Sequence, residues 1–237
     1  MSSQRILFVA LAVIPLAGCA SISTMTTART LNQHEHQFFA AFEVAGSPDK
    51  KLQKVVNGAL EWEIGARYGL TDRVELGLRI FTAGAQLEPK FALLRAPSNE
   101  SGVDLALAPS VGFTNFYMSG GDMAGAVHHN TIYGVLPLLF GGNFAGGHQL
   151  VIGAKLMDWE LLPDGTGDSP RPANAVYLAA SLGFGIQATR WLRIIPEISF
   201  AYPLAVSSKD IPHGGFDVGQ PIIQGGIGLV FGGYGIH

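Results

Sequence analysis

The stretch LEWEIGARYGL, residues 60–70, decides the fold, because it alternates between two kinds of side chain. Leu60 and Trp62 share one face with the apolar residues that follow, and Glu61 and Glu63 share the other. Successive side chains of a β-strand point to opposite faces. The alternation therefore predicts a strand that lies between an apolar and a polar environment.

The same alternation recurs along most of the chain and predicts about ten strands. An even number of antiparallel strands, each near the roughly 9–11 residues that a tilted strand needs to cross a bilayer, is typical of bacterial outer-membrane barrels. The predicted strands are residues 36–44, 60–70, 74–80, 86–93, 103–114, 128–144, 149–160, 176–187, 192–202 and 223–231.

The composition favours a barrel that lies in a membrane. Hydrophobic residues make up 48% of the 237 residues and charged residues only 14%, whereas an average soluble domain has about 25% charged residues. Mean hydropathy is +0.28, yet beyond residues 1–18 no unbroken apolar run approaches the roughly 20 residues of a membrane helix. We therefore expect an all-β fold, an antiparallel up-and-down transmembrane β-barrel of about ten strands. The alternative is a soluble periplasmic barrel or sandwich with its apolar face inside.

The connections between the predicted strands differ in length. Short turns on one side and longer loops on the other are typical of outer-membrane barrels, with the short turns in the periplasm. The predicted periplasmic turns are 71–73, 95–102, 145–148 and 189–191. The predicted external loops are 45–59, 82–85, 119–127, 161–174 and 205–221, of which only 82–85 is short.

The N-terminus carries a targeting pattern. Arg5 precedes an apolar stretch of about 11 residues, too short to span a membrane, and this stretch ends in Leu16-Ala17-Gly18-Cys19. Cys19 is the only cysteine of the chain. Residues 1–20 thus resemble a bacterial lipoprotein signal peptide with its lipobox.

This resemblance implies a domain organisation and an address. Residues 1–18 would be a cleaved signal peptide, 19–35 a lipidated polar tether, partly ordered by plugging the periplasmic mouth, and 36–234 the barrel. Ala20 after the cysteine implies sorting to the outer membrane of a Gram-negative bacterium, with the anchor at Cys19 on the periplasmic side. The implied partners are outer-membrane lipids, the lipoprotein-processing machinery and the barrel-insertion machinery. The end Tyr234-Gly235-Ile236-His237 departs from the terminal aromatic residue of many such barrels.

Aromatic residues near the strand ends predict interfacial girdles, in which Trp and Tyr lie at headgroup level. The predicted girdle residues are Trp62, Tyr68, Tyr117, Tyr133, Trp159, Tyr177, Trp191, Tyr202 and Tyr234. Glycines cluster in the last strand, where we expect them to let it bend; they are Gly225, Gly226, Gly228, Gly232 and Gly233.

The polar faces of a membrane barrel point inward. The predicted lumen-lining charges are Glu61, Glu63, Arg67, Glu75, Arg79, Glu88, Lys90, Asp104, Lys155, Arg193 and Glu197. Mixed signs in a confined space favour mutual pairing, because an unpaired buried charge is costly. This predicts a packed, ion-paired core, and the alternative is a narrow water-filled passage for a small solute that the sequence does not identify.

Catalysis has weak support in the sequence. A hydrolase needs a nucleophile, a base and an orienting acid within reach, but no serine stands at strand spacing from the histidines. Neighbours on a strand face opposite ways, so only one of His128 and His129 can serve a site with Asp122. The other candidates are His34, Glu35, His36, His148 and His213, of which the HEH at 34–36 is also a possible weak metal site.

The sequence thus predicts a structural or small-solute passage role in the envelope, without enzymatic activity, cofactor or bound metal. The net charge of −3 gives no electrostatic case for binding nucleic acid. The alternatives are a lipid-modifying enzyme and a surface binding protein that acts through loops 45–59, 161–174 and 205–221.

Overall fold

The computed structural model describes residues 22–46, 59–119, 126–162, 173–207 and 221–233. These residues form eleven strands: β1 His36–Gly46, β2 Ala59–Thr71, β3 Val74–Phe81, β4 Gly84–Leu94, β5 Gly102–Leu107, β6 Ser110–Ser119, β7 Ala126–Phe144, β8 His148–Leu162, β9 Ala173–Gln187, β10 Leu192–Val206 and β11 Ile222–Gly232. One turn of 3-10 helix, Ala145–Gly147, links β7 to β8.

The strands close into an antiparallel barrel. Each strand pairs with the next along the chain except β5 with β6, and β1 pairs with β11 over Gln37–Gly46, which closes the sheet. β5 and β6 together occupy one position, because both pair with β4 and with β7. Ala108 and Pro109 interrupt this strand, and proline has no N–H to donate to a ladder. The barrel therefore has ten strand positions, and the prediction of an up-and-down antiparallel barrel is confirmed.

The two ends of the barrel differ. The turn end holds the start of β1, the end of β11 and the four connections 72–73, 95–101, 145–147 and 188–191. The opposite end, called the loop end here, holds the short connection 82–83. The other predicted external loops fall largely on residues 47–58, 120–125, 163–172 and 208–220, which lie outside the described residues.

The alternation of each strand sorts its side chains into an apolar exterior and a mixed interior. Large apolar side chains stand on the outside all around the barrel; Phe38 is 57% exposed, Leu178 51% and Ile198 55%. A continuous apolar exterior of this extent is stable in lipid rather than in water. Across the described residues, no helix has both the length and the apolar character needed to span a membrane.

The predicted girdle residues differ in where the structure places them. Tyr68, Trp191 and Tyr202 are exposed near strand ends, and Trp62 is half-buried. The prediction is wrong for three residues, which are buried inside the barrel: Tyr133, Trp159 and Tyr177. Their strand phase is the reason, since each of them alternates with outward-facing neighbours. The side chains of Tyr117 and Tyr234 lie outside the described residues.

Candidate functional site

The barrel lumen collects many of the charged side chains of the described residues. All eleven predicted lumen-lining charges point inward, and all are buried except Glu88, whose side chain is 13% exposed. Sequence reasoning missed Glu43, which is 1% exposed. The signal for it was present, because Glu43 alternates with the outward-facing Phe42 and Val44.

Six of these charges form one continuous set across β2, β3 and β4. We call Glu63, Arg67, Glu75, Arg79, Glu88 and Lys90 the luminal charge cluster. Arg79 is its centre, with nitrogen–oxygen distances of 2.9 Å to both Glu63 and Glu88. Lys90 lies 2.9 Å from Glu75, its direct partner in the register of β3 and β4. Acids and bases alternate in space, so each buried charge has a partner of opposite sign.

Arg67 connects the group around Arg79 to the Lys90–Glu75 pair, at longer distances than those within either group. It lies 3.5 Å from Glu88 and 3.7 Å from Glu75. Its guanidinium carbon is 4.2 Å from the centre of the Phe39 ring, a distance at which a cation is attracted to an aromatic face. Gly65 makes room for that ring, because a Cβ there would lie 2.3 Å from it.

The lumen also contains a length of the chain itself. Residues 22–35, which we call the luminal segment, lie outside the sheet and run from the turn end into the barrel. At the turn end the His34 N–H donates to the Gly69 carbonyl at 2.8 Å. Further in, Arg29 donates to the Ala96 carbonyl at 3.2 Å and pairs with Asp104 at 3.6 Å. The segment is therefore fixed to the wall where it enters.

Luminal carboxylates accept hydrogen bonds from the backbone of the luminal segment. Glu197 receives the Thr24 N–H at 2.6 Å and the Met25 N–H at 2.9 Å, and it also receives the Thr24 hydroxyl at 2.7 Å. Glu75 receives the Leu31 N–H at 2.9 Å. These acids thus supply the acceptors that a neighbouring strand would supply in a sheet.

Luminal cations donate to the backbone carbonyls of the same segment. Arg79 donates to the Thr24 carbonyl at 2.7 Å and to the Ser23 carbonyl at 3.3 Å. Lys90 donates to the Thr27 and Arg29 carbonyls at 3.2 Å each. Lys155 donates to the Ile22 carbonyl.

Two glutamines complete this set of backbone contacts. Gln224 accepts the Ile22 N–H at 2.8 Å, and Gln149 accepts the Ala28 N–H at 3.0 Å. Buried backbone groups without partners would cost about 1–3 kcal/mol each. The lumen is thus arranged to satisfy the backbone of an irregular polypeptide segment from several walls at once.

Glycines in the wall make space for the luminal segment. A Cβ on Gly228 would lie 3.1 Å from the Met25 sulfur, and one on Gly141 would lie 2.8 Å from the Ala28 Cβ. The expectation that the β11 glycines serve bending therefore misses what Gly228 does, because its missing side chain leaves room for Met25.

The inner tip of the luminal segment ends in apolar surroundings toward the loop end. Ile22, 2% exposed, belongs to a buried cluster that we call the apolar cap. Within it, the Trp159 and Tyr177 rings lie 5.1 Å apart between centres. The members of the apolar cap are Ile22, Phe81, Tyr133, Met157, Trp159, Ala175, Tyr177, Ala179, Ala201 and Ile222.

A small cavity lies beside the luminal segment. A cavity of about 30 Å³ lies between Ile22, Thr24 and the walls that carry Arg67 and Lys155. That volume suffices for a water molecule. In the described part of the chain, the lumen is therefore packed with polypeptide and paired charges.

The predicted catalytic candidates are dispersed. The His34 ring nitrogen Nδ1 lies 2.9 Å from the Tyr68 hydroxyl, and His148 accepts the Gln187 N–H at 3.2 Å. Neither partner is a serine, threonine or cysteine. His36 is exposed, and Glu35 accepts the Asn32 N–H at 2.9 Å.

The other catalytic candidates cannot be placed in a site. The side chains of Asp122, His128, His129 and His213 lie outside the described residues. Within the ranges that the structure describes, no group of three or more His, Cys, Asp or Glu side chains could hold a metal ion.

Comparison with known proteins gives structural likenesses alone. No protein-family model and no curated protein sequence matches the chain. The N-terminal β-barrel domain of Pseudomonas aeruginosa OprF is similar at 13% identity and a TM-score of 0.31, over 84% of this chain and 98% of that one. The translocator domain of the autotransporter NalP from Neisseria meningitidis is similar at 6% identity and a TM-score of 0.41, over 84% and 88%. Neisserial surface protein A is similar at 12% identity and a TM-score of 0.27, over 83% and 95%.

Proposed function

We propose that the chain is a lipoprotein of the Gram-negative outer membrane with a structural role, and that its own N-terminal segment closes its barrel to solutes. The observation that carries the proposal is the contact between the luminal segment and charged side chains on several walls. A passage for a small solute would need this path to be open.

Two features support the outer membrane as the location. The barrel is closed, antiparallel and even in strand number, with an apolar exterior, as outer-membrane barrels are. The lipobox that ends at Cys19 adds the expected lipid anchor. The expected partners are then outer-membrane lipids, the lipoprotein-processing machinery and the barrel-insertion machinery.

The energetics support a closed barrel over a passage. Opening would break the bonds of Glu197, Glu75, Arg79 and Lys90 to the luminal segment together. Hydrogen bonds to charged groups contribute about 1.5–3 kcal/mol each. Their joint loss makes spontaneous withdrawal of the segment rare.

Planar-bilayer recording on the purified full-length protein tests this proposal. The wild-type protein should show no conductance, and a variant that lacks residues 22–31 should conduct, because the segment no longer fills the lumen. Heat-modifiable gel migration, on which folded barrels run differently from unfolded chains, verifies that the variant folds. Equal conductance of the two proteins would exclude a barrel closed by this segment.

Metabolic labelling with palmitate tests the anchor separately. Wild-type protein should incorporate the label, and Cys19→Ser should not, because the thiol that receives the lipid is gone. Globomycin, which blocks lipoprotein signal cleavage, should make the precursor accumulate. Labelling of Cys19→Ser at the wild-type level would contradict the proposed anchor.

A further inference from the structure

The depth of Ile22 in the barrel constrains where the mature N-terminus can go. The Ile22 N–H donates to Gln224, and Gln224 is the third residue of β11 counted from the loop end. Ile22 also belongs to the apolar cap, whose members Phe81 and Ala175 lie at the loop ends of β3 and β9. The luminal segment has thus crossed most of the barrel by the time it reaches Ile22.

Only a short length of chain separates Ile22 from the proposed anchor. Three residues span at most about 10 Å when fully extended. The stretch of β11 from Gln224 to Gly232 descends about 20 Å toward the turn end, at about 3.3 Å per residue and a tilt of about 40°. Cys19 therefore cannot return to the turn end while Ile22 stays in place. The loop end of β11, about 5 Å beyond Gln224 at Ile222, is within reach.

Within the described residues, the cavity beside the luminal segment has no room for a second length of chain. It measures about 30 Å³, which is the space of a water molecule and far less than that of an extended chain. A chain that doubled back toward the turn end would have to displace the charge pairs of Arg79 and Lys155.

We propose that the mature N-terminus threads through its own barrel and emerges at the loop end, where the acyl chains of Cys19 enter the outer leaflet at the cell surface. The inference rests on the proposed function, in that it takes the chain to be an outer-membrane lipoprotein. It replaces the expected periplasmic anchor with a surface one. The partner it identifies is the lipid of the outer leaflet around the loop end.

The apolar exterior of the barrel is already sufficient to keep the protein in the membrane. In this arrangement the lipid has a second role. The luminal segment is held at the turn end by its covalent continuation into β1, and at the loop end by the anchor. A segment fixed at both ends cannot slide out of the lumen, so the acyl chains hold the barrel closed.

An epitope placed between Ser21 and Ile22 tests the threading in intact cells. The matched control carries the same epitope between Glu100 and Ser101, in the connection from β4 to β5 at the turn end. Antibody should bind intact cells that carry the first insertion. It should bind cells with the control insertion only after the outer membrane is permeabilised.

Two results would contradict the proposed threading. If the epitope after Ser21 is detected only after permeabilisation and the control behaves as expected, the N-terminus lies on the periplasmic side and the threading is wrong. If the control epitope alone is detected on intact cells, the barrel is inverted and the surface anchor is wrong.

Two further measurements on the same cells separate this inference from the proposed function. Loss of heat-modifiable migration or of palmitate incorporation in the wild-type protein would refute the proposed lipoprotein barrel itself. In the tagged chain, the pair Thr24→Cys and Ser181→Cys replaces hydroxyls 3.4 Å apart. A disulfide between them shows that the luminal segment has kept its place, and a silent epitope in cells where this disulfide forms would overturn the threading.

Discussion

The two halves of the lumen hold the luminal segment in different ways. From the turn end to the middle, charged side chains such as Glu75, Lys90 and Glu197 bind its backbone. Toward the loop end, the apolar cap packs around the side chain of Ile22. Backbone recognition tolerates many sequences in the segment, whereas packing in the cap depends on the size and shape of one residue. We therefore expect substitutions in the wall to have the largest effects and substitutions at the cap to have the smallest.

The largest effect is expected for Arg79→Met. The change removes the cation that lies 2.9 Å from both Glu63 and Glu88 and leaves the buried Glu63 and the largely buried Glu88 without it. Breaking a buried ion pair from one side typically costs about 3–5 kcal/mol. Urea unfolding in detergent micelles, followed by tryptophan fluorescence, should show this loss. The exposed Arg190→Met is the matched control and should unfold like the wild-type protein; an equal loss in both variants would argue against the luminal charge cluster as the cause.

A smaller effect is expected when a wall glycine that contacts the luminal segment is replaced by a large side chain. Gly228→Leu places a side chain where Met25 lies, while Gly225→Leu in the same strand adds one where the nearest heavy atom is 3.9 Å away. Overpacking typically costs about 1–3 kcal/mol. Gly228→Leu should lower the unfolding free energy and introduce conductance in planar bilayers, and Gly225→Leu should do neither. Silent bilayers with Gly228→Leu would mean that the segment adapts without leaving the lumen.

Glu197→Gln tests the backbone contacts without changing the volume of the side chain. The amide can still accept one backbone N–H, but it loses the charge that strengthens the bonds from Thr24 and Met25. We expect a loss of about 1–2 kcal/mol in the unfolding free energy. Ser199→Ala is a suitable comparison, because it removes a hydroxyl that donates to the same carboxylate at 2.9 Å and leaves the segment bonds intact. A Glu197→Gln loss no greater than that of Ser199→Ala would show that the charge contributes little to holding the segment.

The sequence predicts the wall of this barrel well and its contents poorly. Period-two alternation is a local property, so Glu61, Arg79 and Lys155 could each be assigned to the inner face from their neighbours alone. The path of the luminal segment is not local. Thr24 meets Glu197 across 173 positions of sequence, and the polar stretch from 22 to 35 has no periodicity that indicates its partners. Tyr133, Trp159 and Tyr177 show a different error, because their residue type predicts an interfacial position while their strand phase, a local property, predicts an inward one.

The smallest effect is expected at the apolar cap. Ile22→Val removes one methylene from a side chain that is 2% exposed, and such a change in a packed core costs about 0.5–1.5 kcal/mol. The matched control Ile64→Val removes the same group from an exterior position that is 49% exposed and should change the unfolding free energy less, since lipid fills the space. The emission of Trp159, in the same cluster as Ile22, should respond to the first substitution and not to the second. If Ile22→Val and Ile64→Val behave alike in both measurements, the tip of the luminal segment is not packed into the cap. The backbone contacts nearer the turn end would then hold the segment alone, and the short reach from Ile22 to Cys19 would no longer constrain the anchor.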